Sequence, residues 1–111
     1  MAYDEELAER MREQMSGQAG LTEKRMFGGL AFLIDGRMAA AAGSQGSMLL
    51  RVHPDDTERL VADEHATRSR MQGREMDGWL AIDLLGLQTD EDLERWMAHG
   101  ITYARSLPPR R

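Results

Sequence analysis

Two apolar runs on either side of an Asp-Gly dipeptide constrain this chain more than any other feature. Arg25–Ile34 reads Arg-Met-Phe-Gly-Gly-Leu-Ala-Phe-Leu-Ile, with both alternate sets of residues apolar. That pattern predicts a strand buried on both faces. Asp35-Gly36 follows, a pair that accepts the positive φ angles of a two-residue hairpin turn. The segment Arg37–Ala42 carries four alanines, which favour helix by propensity. The turn signals at Asp35-Gly36 and Gly43-Ser44-Gln45-Gly46 leave too little room for one, so it is read as the partner strand.

The remaining elements follow from periodicity and punctuation. Leu7, Ala8, Met11 and Met15 share one helical face, with Asp4, Glu5 and Glu6 at the favourable end of the dipole. Met48–Val52 reads as a third strand. Pro54 opens a second helix expected to run to about His65 or Ala66. Ser69–Glu75 and Trp79–Asp83 read as two further strands. Thr89 with Asp92 resembles a capping box ahead of a final helix bearing Leu93, Trp96, Met97, Gly100, Ile101 and Ala104. The order is α-β-β-β-α-β-β-α, which predicts an α+β fold with a five-stranded antiparallel sheet. At 111 residues the chain holds one domain, 1–111, with 108–111 expected to fray after Pro108-Pro109.

Several function classes are excluded or disfavoured. Nineteen acidic residues against fourteen basic give a net charge of −5, the wrong sign for a general nucleic-acid coat. With no cysteine there is no thiolate nucleophile, disulfide or Cys-ligated metal. The acidic N-terminus and short apolar runs predict a cytoplasmic protein without a membrane segment. His53, His65 and His99 lie in separate segments without the i, i+4 spacing of helical metal ligands. Gly28-Gly29 lacks the spacing and following helix of a phosphate loop and reads instead as a bulge or close backbone approach. No catalytic, cofactor or metal residues are assigned.

The motif Arg25-Met26-Phe27-Gly28-Gly29 with the Asp35-Gly36 turn, the Trp79 strand and the helix start Asp90–Trp96 resembles the N-terminal domain of the TfoX/Sxy family. The resemblance covers about residues 4 to 107. It implies an α-β(3)-α-β(2)-α fold akin to secretion-chaperone-like folds. TfoX and Sxy proteins promote expression of natural-competence genes. For this chain the resemblance implies a stand-alone, non-enzymatic interaction or regulatory domain, for which the family supplies no established catalytic residues.

Two surfaces are candidates for partner binding. In an extended segment, Arg68, Arg70 and Arg74 share one face with Gln72, a row able to contact an anion or acidic partner. With Lys24 and Arg25 it is the basis for an alternative, nucleic-acid-associated reading; the same row also serves as a charged edge that blocks aggregation. Met26, Leu30, Phe32 and Ile34 are expected to face the helices, leaving Phe27, Ala31 and Leu33 on the other side. Three helices are too few to cover both faces, so the second face is expected to join a homodimer or a regulatory protein partner.

Overall fold

The computed structural model describes residues 4–26, 28–43, 46–71 and 73–108. Helix α1, Glu5–Met15, begins where the Asp4 carboxylate accepts the Leu7 N–H at 2.9 Å. Strands β1 (Leu21–Met26), β2 (Gly29–Ile34), β3 (Arg37–Ala42) and β4 (Met48–Arg51) follow. A 3-10 turn at Pro54–Asp56 leads into the short helix α2, Thr57–Leu60. Strands β5 (Ala66–Met71) and β6 (Arg74–Ile82), a second 3-10 turn at Leu84–Leu87 and helix α3, Asp90–Ser106, complete the order. Thr89 caps α3 by accepting the Asp92 N–H at 3.0 Å, as its spacing predicts.

The sheet is antiparallel and six-stranded, in the order β1-β2-β3-β4-β6-β5, where five strands were expected. The difference arises at the glycine pair. Gly28 has a φ of +74° and the chain reverses there, so Arg25–Ile34 is not one strand but the end of β1 and the whole of β2. Gly29 then lies so close to the Ala42 carbonyl of β3 that a Cβ would overlap it. The Asp35-Gly36 hairpin forms as read, with φ of +50° and +81°.

A second correction concerns the segment after α2. This helix stops at Leu60, and residues expected to continue it instead turn into β5. Ser69–Glu75 is therefore the tip of the β5–β6 hairpin, with Gly73 in its turn, and not a single strand. Gly78, expected in a turn before a strand, sits inside β6 at a φ of +88°. The β5–β6 register shifts between Arg68 and Arg70 in the same region.

All three helices pack on one face. Leu7, Met11 and Met15 of α1, Leu60 of α2, and Leu93, Trp96 and Met97 of α3 join Leu30, Phe32, Ile34, Leu50, Leu80 and Ile82 in one core. The alanines of β3 explain how two helices fit above a central strand: α1 and α3 both rest on it, and small side chains bring them close. Trp96 and Phe32, both essentially buried, are the bulkiest members of this core. Among the described residues, no helix is long and apolar enough to cross a membrane.

Candidate functional site: the helix-free face of the sheet

A second apolar cluster occupies the opposite face and includes no helical residue. Ala31, Met38 and Ala41 form its centre, with Met26, Leu33, Leu49 and Trp79 partly buried around them. Ala31 and Leu33 thus lie where the alternation of β2 places them. Phe27 falls outside the described residues. Met26 belongs to this face, not to the helix side as expected. Its pairing with Gly29 across the turn puts it on the side of Gly29, Ala31 and Leu33.

The pairings extend this face into a continuous row. Lys24 lies opposite Ala31, Ala31 opposite Ala41, Ala41 opposite Leu49, Leu49 opposite Ala81, and Ala81 opposite Thr67. Apart from Lys24 and Leu49 these are small residues. Leu33 and Met38, and then Arg51 and Trp79, form bulkier cross-strand pairs one step along the strands. Ala41, Leu49, Ala81 and Thr67 of this row line a groove of about 540 Å³, bordered by Met26, Gly43 and Ser47 near the β1–β2 and β3–β4 turns. Arg68, Arg70 and Glu75 of the β5–β6 hairpin also border it.

The arginine row is divided by the hairpin. Arg68 and Arg70 are on β5, Arg74 is on β6, and residue 72 lies outside the described set. Arg68 Nε donates to Asp77 Oδ1 at 3.0 Å, and Arg70 stands 3.8 Å from Glu75 Oε2. Lys24 and Arg25 lie on β1, at the opposite edge of the sheet. The five basic residues therefore do not form one row.

Arg51 went unnoticed in the sequence. It closes β4, and its guanidinium carbon is 4.9 Å from the Trp79 ring centroid and 5.5 Å from that of Tyr103. Its only sequence signal is its place two residues after Leu49; the aromatic partners come from β6 and α3.

The polar groups elsewhere have local structural work. His65 Nδ1 is 2.9 Å from Asp83 Oδ1, and Asp83 also accepts the Gly86 N–H, clasping the turn after β6 to the start of β5. His53 Nδ1 accepts the Asp55 N–H at 3.0 Å. Burial, with nearby Arg59 and Arg95, lowers the His99 pKa against an opposing pull from Asp56. Among the described residues, no group of three or more His, Asp or Glu side chains is placed to hold a metal ion.

The family model for the TfoX N-terminal domain matches residues 13–104, from the end of α1 to the last turns of α3. The match takes in every strand of the sheet and the whole helix-free face. No curated protein and no solved structure matches the chain. With most of its length covered by that one model, the chain belongs to the TfoX N-terminal domain family.

Proposed function

We propose that this chain is a cytoplasmic, non-enzymatic interaction domain that acts in regulation through protein–protein contacts on the helix-free face of its sheet. The observation that carries this reading is the second apolar cluster, which none of the three helices covers. Its centre, Ala31, Met38 and Ala41, is buried, while Met26, Leu33, Leu49 and Trp79 around it stay partly exposed, and contiguous apolar surface of that kind marks interaction sites. Family membership supports a TfoX-like role, and the groove next to Gly29 has an apolar floor suited to side chains of a partner.

The test is affinity capture from the native cell with and without nuclease, comparing the parent chain with Leu49→Glu. A protein partner that survives nuclease and is lost with Leu49→Glu is the expected outcome, provided the variant keeps its unfolding midpoint. Capture abolished by nuclease would replace this reading with a nucleic-acid-associated one.

A further inference from the structure

The charges around the helix-free face run against those of the chain as a whole. The chain carries a net charge of −5. On and around this face the described charged residues are Lys24 at one end of the small-residue row, Arg51 beside Trp79, and Arg68 and Arg70 with Glu75 and Asp77 at the hairpin. Four cations against two carboxylates make it locally basic, and the two carboxylates are already engaged by Arg68 and Arg70.

Arg51 is singular within this set. Arg10, Arg12, Arg37, Arg59, Arg68, Arg70, Arg95 and Arg105 each contact a carboxylate or a carbonyl oxygen. Arg25, Arg51 and Arg74 have no such partner among the described residues, and of these Arg25 and Arg74 are exposed at the periphery. Arg51 alone is half-buried, lies within the sheet and is braced by two aromatic rings. The rings restrict the guanidinium without using its N–H groups, so its ordering cost is met before any anion arrives.

We infer that the helix-free face docks an acidic, apolar segment of a partner protein, with Arg51, at the margin of the face beside Trp79, donating to a carboxylate of that segment while its apolar side chains cover Leu33, Leu49 and Trp79 of the second cluster. This rests on the interaction reading above and specifies its chemistry. A guanidinium stacked on Trp79 at the edge of a partly exposed apolar cluster matches a ligand that carries both features; a bare polyanion would leave the cluster uncovered.

The experiment selects random linear peptides displayed on phage against the immobilised full chain, in parallel with Arg51→Gln, Arg51→Lys and, as a control, Arg25→Gln. Peptides pairing Asp or Glu with aliphatic or aromatic residues are expected to be enriched. Their affinity should fall at least about tenfold for Arg51→Gln, fall less for Arg51→Lys, and stay unchanged for Arg25→Gln. Binding should also change the fluorescence of Trp79, which is partly exposed, whereas Trp96 is buried. Enriched peptides without acidic bias, or equal affinity for Arg51→Gln, would overturn the inference. So would a concentration-dependent dimer lost in Arg51→Gln, which would give the face to a second copy. If acidic bias is missing yet Leu49→Glu still abolishes nuclease-resistant capture, the carboxylate chemistry fails and the interaction surface stands; if both are missing, both fail.

Discussion

Gly100 of α3 lies directly on the backbone carbonyl of Ala39 in β3, so that a Cβ at position 100 would overlap the carbonyl oxygen and come within 2.9 Å of Leu50 Cδ1. The contact sets the distance between the longest helix and the middle of the sheet. It also gives a reason for the alanines of β3, whose bulk would otherwise hold the helix away.

Gly100→Ala is therefore expected to destabilise the fold, although alanine favours helix over glycine by about 1 kcal/mol. Forcing α3 away from a backbone atom costs about 1–3 kcal/mol in lost packing. A net loss of about 1 kcal/mol should appear as a lower urea midpoint with an unchanged slope. An unchanged or raised midpoint would show that α3 is not held at this distance.

Thr57 is buried, and its hydroxyl oxygen accepts the Gly78 N–H at 2.7 Å, joining α2 to the bulge in β6. Thr57→Val keeps the shape and leaves that N–H without its partner, at a cost of about 1–3 kcal/mol. Thr57→Ser should retain most of the stability. The comparison of the three midpoints separates the hydrogen bond from the loss of a methyl group.

Arg12 joins α1 to the edge strand, contacting the two carboxylate oxygens of Glu23 at 2.8 and 3.0 Å. The guanidinium holds the Glu23 carboxyl below its ordinary range, so the folded chain gives up this proton more readily than the unfolded chain. The resulting stabilisation is present at neutral pH and lost as pH falls through the depressed value. Glu23→Gln should be slightly less stable than the parent near neutral pH, and the gap should close as pH falls below the ordinary glutamate range. A gap that persists in acid would assign the effect to packing.

His99 acts in the same sense as Glu23, from a higher ordinary value. Burial and its cationic neighbours lower its pKa, so the unfolded chain binds a proton before the folded one does. Stability from this residue is present above its ordinary value near 6.5 and falls as pH drops through the lowered one. His99→Gln should flatten the loss of stability in the interval below the ordinary histidine value near 6.5. Thermal melts across that interval give the slope directly.

The turns and helix starts were legible because each depends on a few adjacent residues. Asp35-Gly36, the Thr89 cap and the amphipathic stripe of α1 carry their own physical reasons, and each formed where read. The Met-Phe-Gly-Gly segment was misread because a glycine pair is compatible with both a bulge and a reversal. Its apolar flanks do not distinguish them. Ser69–Glu75 was misread for a similar cause: a polar hairpin tip with one glycine has the same alternation as an edge strand.

By itself the sequence determined an α+β domain with helices at both ends, a strand-rich middle and an apolar pattern too extensive for one sheet face. Only the tertiary structure decided that β1 is a separate strand, that all three helices lie on one side, and that Arg51 meets Trp79 and Tyr103. Hairpin signals report on chain neighbours, whereas a face, a groove and a braced guanidinium depend on register between strands distant in sequence. One residue of slip would turn Arg51 to the opposite face, which is why the alternation alone could not place it.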